Sequence, residues 1–155
     1  MLTRIVLVCL LAVAVGCDAG RSRVALGECA RGWWTGLSQS CVVACIAQPP
    51  PAACGHSDCA QVPVLRLEGE QFARGTIAIS VEAGALQFLG AVLEGPYSAA
   101  GNTITLDGAA ATAACDAGSL TIGGVVYHRA CAALSSSLER SAHDGWSPQP
   151  VTACK

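Results

Sequence analysis

The spacing of apolar side chains changes character at Val62. From there they recur at every second position, as in Leu65/Leu67, Ile77/Ile79/Val81, Leu86/Phe88, Ile104/Leu106 and Leu120/Ile122. That period places alternate side chains on one face of a strand. Glycine-bearing turns at Glu82-Ala83-Gly84, Ala100-Gly101-Asn102 and Gly123-Gly124 separate the sets, and the pattern predicts five to seven short antiparallel strands across residues 62–129. Three segments look alike, Gly75 to Ile79, Gly101 to Leu106 and Gly118 to Ile122. Their uneven spacing marks successive hairpins of a meander rather than a solenoid repeat. Beyond Arg129 the period fades into a tail, residues 130–155, expected to pack on the sheet. Ala130, Leu134 and Leu138 fit a helical turn or two, while Ser135-Ser136-Ser137 argues for a loop.

Upstream, residues 29–61 form a cysteine-rich head. Ser38 is placed to cap a short helix running to Ala47, with Cys41 and Cys45 on one face. Pro49-Pro50-Pro51 ends it, and Cys54 to Cys59 reads as a tight turn. Trp33 and Trp34 are adjacent, so in an extended chain their rings point to opposite faces. One of them exposed would suit contact with a sugar or a protein. Aromatics are only 5% of the chain, however, and the expectation is that both pack, one under the sheet and one against the head. The fold class expected is mainly β: an antiparallel meander or partial barrel with a small disulfide-rich, partly helical N-terminal head.

The first 16 residues carry one charge, Arg4, ahead of an apolar run from Ile5 to Val15. A membrane span needs about 20 apolar residues, and this run is shorter, with Asp18, Arg21 and Arg23 following closely. Residues 1–16 therefore read as an export signal that is removed. Ala14-Val15-Gly16-Cys17 resembles the lipobox of bacterial lipoproteins, with alanine where leucine is usual. The resemblance implies that Cys17 is lipidated and becomes the mature N-terminus. Residues 17–28 then form the lipidated N-terminus and a polar tether, whose reach is on the order of 35–40 Å.

Cysteine parity agrees with that reading. Of ten cysteines, Cys9 leaves with the signal. Plain secretion would strand an odd number, whereas lipidation of Cys17 leaves an even set able to form disulfides: Cys29, Cys41, Cys45, Cys54, Cys59, Cys115, Cys131 and Cys154. Five lie in the head and three beyond it, so complete pairing demands an odd number of bridges between the two regions. Residues 29–155 are thus one cross-linked unit. Cys115 and Cys131 flank the Gly123-Gly124 hairpin and are expected within bridging range. If they pair, Cys154 goes to the head, and the other pairings stay open.

The hydrophobic fraction of 52% owes much to alanine and the signal, so few large side chains are available for a core. Disulfides offset that deficit, each typically by about 2–5 kcal/mol in a small exported domain. Nine basic and eleven acidic residues give a net charge of −2 with no basic run. No nucleic-acid partner is expected, and membrane attachment falls to the lipid on Cys17. The expected location is the cell envelope, facing the periplasm or the cell surface, with inner and outer membrane both open.

Candidate chemistry is sparse. Cys41, Cys45, Cys54, His56 and Cys59 contain the atoms for a zinc shell, but their spacing lacks paired C-x-x-C knuckles and an oxidising compartment favours disulfides. His56-Ser57-Asp58 are contiguous, whereas a hydrolytic triad converges from separate parts of a fold, and no G-x-S-x-G is present. His128 and His143 have ordinary polar neighbours. Glu68 and Glu70 would share a strand face, which edge-strand charge explains as well as glycosidase chemistry does. There is no phosphate-binding glycine loop. Neither cofactor nor metal is expected, and the chain reads as non-catalytic.

The stretch from Gly95-Pro96-Tyr97 through Gly101 to Leu106, ending at Tyr127-His128-Arg129, resembles the meander of bacterial lipocalin-like lipoproteins. Gly32-Trp33-Trp34 matches their opening G-x-W, and Arg129 matches the late arginine that stacks on its tryptophan. The resemblance implies binding of a small apolar ligand or a protein. The length is short for eight full strands, so an open or partial barrel is expected. The function expected is a non-catalytic, membrane-anchored lipoprotein with a binding or structural role in the envelope. The alternatives are a lipocalin-like carrier, a disulfide-rich protease inhibitor presenting the Pro49 to Cys59 loop, and, as a minor reading, a hydrolase.

Overall fold

The computed structural model describes residues 25–46, 59–80, 84–151 and 154. The expected signal, Cys17 and most of the tether lie outside them, as do Pro49 to Asp58. The elements run α1 (Leu26–Ala30), β1 (Gly32–Thr35), α2 (Gln39–Ile46), β2 (Val62–Glu68), β3 (Gln71–Ser80), β4 (Ala85–Phe88), β5 (Leu93–Ala100), β6 (Thr103–Leu106), β7 (Ala109–Cys115), β8 (Ser119–Ile122), β9 (Val125–Arg129), α3 (Ala132–His143) and β10 (Gln149–Pro150). The fold is mainly β and antiparallel, with the disulfide-linked, partly helical head expected. It goes further than an open or partial barrel, because the sheet closes.

Closure depends on the length of β3. Its first half pairs with β5 from Gln71↔Pro96 to Arg74↔Leu93, while its second half pairs with β4. The ring therefore reads β3-β2-β1-β9-β8-β7-β6-β5 and back to β3, eight strands, with β4 and β10 extending from it. Ring strands as short as four residues suffice because each needs only one or two side chains facing inward.

Two glycines let the walls approach. Gly95 faces Phe72 across the closing seam, and a β-carbon on it would stand 3.0 Å from the Phe72 ring. Gly32 opens β1 with φ +111°, a conformation that suits glycine and few other residues.

Two apolar cores follow from the two faces of this sheet. Inside the barrel, Trp34, Leu65, Leu67, Phe72, Ile104 and Leu120 interlock. Outside, on the β1–β4 side, Trp33, Val62, Val64, Ile77 and Leu86 are covered by α2 and α3 through Val42, Leu134 and Leu138. Trp33 and Trp34 are both buried, as anticipated; Trp34 lies under the sheet, and Trp33 packs not only against the head but also against the tail, beside Glu139 and Trp146.

Several local expectations change. Helix α1 begins at Leu26, so residues 26–28 belong to the folded unit and not to the tether. Ser38 does cap α2, its Oγ accepting from the Cys41 amide at 3.3 Å. The segment at Gly75 lies inside β3 and opens no hairpin, whereas those at Gly101 and Gly118 do precede new strands. The triple serine is helical. Ser136 Oγ donates to the Ala132 carbonyl at 2.9 Å and Ser137 Oγ to that of Pro150 at 2.8 Å, so the hydroxyls that would favour a loop are satisfied by the helix and by β10.

Candidate functional site

The barrel has two unlike ends. One is plugged by α1. This five-residue helix has no side-chain N-cap, so it depends on what holds its C-terminal carbonyls. Arg129 and Trp34 do so. Arg129 donates from Nη2 to the Cys29 carbonyl at 2.6 Å, from Nη1 to that of Arg31 at 3.0 Å, and from Nε to that of Ala117 at 3.0 Å. Trp34 Nε1 donates to the Ala30 carbonyl at 2.7 Å. The guanidinium lies over the Trp34 ring, 4.1 Å from its centroid, a distance at which cation–π attraction operates. A disulfide from Cys29 to Cys115 fastens the same helix to β7.

The plug leaves a cleft on either side. One, of about 750 Å³, lies against β7 and the β7–β8 turn, with Leu26, Ala113 and Ala117 in its walls. The other, of about 510 Å³, lies against β5 and the β2–β3 turn and includes Arg31, Gln71 and Tyr97. Burial pushes the Tyr97 hydroxyl above its ordinary pKa, and the positive charge of Arg31 partly opposes that.

At the opposite end the barrel opens as a shallow cup of about 260 Å³. Phe72 and Ile104 lie deepest, Leu93, Leu106 and Ile122 form the sides, and Arg74 and Asp107 stand among the lining residues. Leu93 and Val125 are each 54% exposed, and the strand register turns both inward. Of these two, Leu93 lines the cup.

The disulfides correct one expectation. Cys115 does not pair with Cys131. The observed bridges are Cys29–Cys115, Cys45–Cys59 and Cys131–Cys154. Cys115 ends β7 while Cys131 follows β9, with β8 between them. Two strand spacings amount to about 9–10 Å, beyond disulfide reach. The odd bridge between head and later chain is Cys29–Cys115. Cys41 is also disulfide-bonded, to a partner outside the described residues, where Cys54 also lies.

The remaining candidates stay apart. Trp33 Nε1 donates to Glu139 Oε2 at 2.8 Å, and Glu139 Oε1 accepts from Arg66 at 2.7 Å, so this ring is enclosed by α3 rather than offered to a ligand. Glu68 pairs with Arg66 on β2 while Glu70 sits in the following turn, so the two do not share a strand. His143 is 89% exposed beside Asp144, and His128 faces Thr35 across β9 and β1. His56-Ser57-Asp58 and the Pro49 to Asp58 loop lie outside the described residues. Among the described residues no group of three or more His, Cys, Asp or Glu is placed to hold a metal, and no helix is long and apolar enough to cross a membrane.

No family model, curated protein or solved structure matches this chain.

Arg31 and Glu139 had no role in the sequence reading, and Tyr97 stood there only within the meander resemblance. Tyr97 carried a signal, since it stands in phase with Gly95 and Ala99 on an alternating strand. Arg31 and Glu139 carried none, because their roles depend on elements distant in the chain.

Proposed function

We propose that the chain is a membrane-anchored, non-catalytic lipoprotein whose barrel binds a partner in the cell envelope. The anchor rests on the lipobox-like Ala14 to Cys17 and on cysteine parity. The observation that carries the binding role is the asymmetry of the barrel, fastened shut at the end where the chain enters and open at the other as an apolar-rimmed cup. Cys17 precedes Ala25 by eight positions, a reach of at most about 25–30 Å. The plugged end then faces the lipid surface and the cup faces away, toward whatever it meets.

A cup of about 260 Å³ is small beside the 300–1,000 Å³ or so of typical ligand pockets. It accommodates one apolar side chain of a protein partner more readily than a bulky lipophile. A second reading, a carrier of a small apolar ligand, is favoured by the closure of the barrel and the inward-facing Leu106 and Ile122.

Membrane fractionation with a labelled fatty acid tests the anchor. The protein is expected in the membrane fraction carrying label, and Cys17→Ser is expected to lose both. An environment-sensitive apolar dye tests the carrier reading. Saturable binding abolished by Leu93→Glu supports it, and absence of binding leaves the partner-binding module. Unlabelled protein in the soluble fraction contradicts the anchor.

A further inference from the structure

The plug is held unevenly along its length. At the C-terminal end of α1 the carbonyls of Cys29, Ala30 and Arg31 accept from Arg129 and Trp34. At the other end the helix starts at Leu26 with no side-chain cap, and a helix of five residues is not stable by itself. Its first turn is fixed over the barrel by partial burial of Leu26 in the inner core and by the Cys29–Cys115 bridge to β7.

Seating that turn is opposed from below. Gly27 lies over Tyr97, where a β-carbon would stand 3.9 Å from the Tyr97 oxygen, and the hydroxyl is sealed from water without a hydrogen-bond partner. A hydroxyl buried unpaired is destabilising. Lifting the turn returns it to water, so the closed plug relies on its covalent tie.

That tie is within reach of solvent. Cys29 and Cys115 are both half-buried, and both line the cleft of about 750 Å³. Cys45, Cys59 and Cys154 are buried, so each of the other two described bridges has at least one shielded partner. Disulfides exchange through attack of a thiolate on an accessible sulfur.

We propose that Cys29–Cys115 is a site of thiol–disulfide exchange and that its reduction unlatches the plug. The co-reactant is a dithiol. One of its thiolates attacks a sulfur of the bridge, which forms a mixed disulfide and releases the other cysteine as a thiolate that takes up a proton. The second thiolate of the reagent then displaces the remaining cysteine, which is protonated in turn. The reagent leaves as a disulfide, having passed two electrons to Cys29 and Cys115. Glu28 and Asp116 in the cleft walls disfavour anionic reagents, so uncharged ones are preferred. Once released, Leu26 to Glu28 lift away from Tyr97 and Ala99, with the carbonyls held by Arg129 and Trp34 as the pivot. The clefts of about 750 and 510 Å³ on either side of the plug then join. This device lies at the end away from the cup, and it depends neither on the anchor nor on the binding role proposed for the barrel.

The test uses the mature, oxidised protein without denaturant, treated with increasing dithiothreitol, alkylated and mapped by peptide mass. Cys29 and Cys115 are expected to be labelled together, at least about tenfold faster than Cys45, Cys59, Cys131 and Cys154. At that stage hydrogen exchange across residues 25–29 should rise about tenfold or more while β2 and β3 stay protected, and reoxidation should reverse the rise. The double variant Cys29→Ser with Cys115→Ser should show the same exchange with no reductant present. In Tyr97→Phe the reduced plug should exchange about three- to tenfold more slowly, because seating it no longer buries an unpaired hydroxyl. The proposal is overturned if either other described bridge is reduced as early, if the whole barrel loses protection at once, or if the reduced plug exchanges no faster than the oxidised one.

Discussion

The two sides of the barrel solve different problems with the same strands. On the β1–β4 side both faces of the sheet are buried, so neighbouring residues are apolar in succession: Trp33 and Trp34, Val64 and Leu65. Helices α2 and α3 cover that outer face, with two disulfides among these elements, Cys45–Cys59 and Cys131–Cys154. On the β5–β8 side only the inner face is covered. Its outward positions are small or polar, with Ser98, Ala110, Thr112 and Ala114 exposed to solvent, and its fastening is the single described bridge Cys29–Cys115. A thin core is therefore distributed unequally, as a doubled layer on one side and one wall with one covalent tie on the other.

The sharpest way to break this contrast is to remove the tie. Replacing Cys29 and Cys115 by alanine opens a loop with a sequence separation of 86, for which the chain-entropy relation gives about 4–5 kcal/mol. Removing Cys45–Cys59, with a separation of 14, is expected to cost about 3 kcal/mol by the same relation. Denaturant unfolding measures both, and the reverse order would mean that the bare side is held by something else.

Next in size is the pair of tryptophans. Trp34→Ala empties the interior and removes the surface on which Arg129 rests, while Trp33→Ala empties the outer core. Each is expected to lose about 3–5 kcal/mol. If Trp33→Ala costs less than about 1 kcal/mol, the outer layer is not a core at all. Smaller is Glu139→Gln, which weakens the link from α3 to Arg66 and Trp33. Its side chain is 52% exposed, so solvent screening limits the expected loss to about 0.5–1 kcal/mol. On the bare wall, Thr112→Val should stay within about 0.5 kcal/mol.

The smallest expected effect is one of pH. The Asp116 carboxylate accepts from the Gly118 amide at 2.8 Å and from the Ser119 amide and hydroxyl at 2.7 and 2.9 Å. These bonds, Gly118's first, hold its pKa below the ordinary carboxylate value. A depressed folded pKa means that the contribution is complete above the unfolded pKa, about 3.9, and is lost as pH falls through the lower folded value. Amide shifts of Gly118 and Ser119 are expected to move together in that acid range. No change there would remove the carboxylate from the turn.

The bare side was the more legible in the sequence where its strands alternate cleanly, as in β6 and β8. It was obscure where alternation has no contrast: β7 reads Ala109-Ala110-Ala111-Thr112-Ala113-Ala114-Cys115, and alanine favours neither face nor strand. Missing β7 placed Cys115 beside β8 and β9 and produced the incorrect pairing with Cys131. On the covered side, Trp33-Trp34 announced a strand buried on both faces, and Arg129 over Trp34 was implied by the resemblance to lipocalin-like lipoproteins and not by the spacing of the residues. Closure was not legible, because it depends on one strand, β3, serving two neighbours in succession. Nor was the buried, unpaired hydroxyl of Tyr97, whose neighbour Gly27 comes from another element.

The central claim is a lipid-bearing Cys17 ahead of a fully oxidised barrel, and intact mass of protein extracted from membranes tests it most directly, before and after reduction and alkylation. The account predicts a chain beginning at Cys17 with the added mass of its acyl groups, no alkylation without reductant, and alkylation at the eight later cysteines after it. A chain of unmodified mass that alkylates without reductant would contradict it.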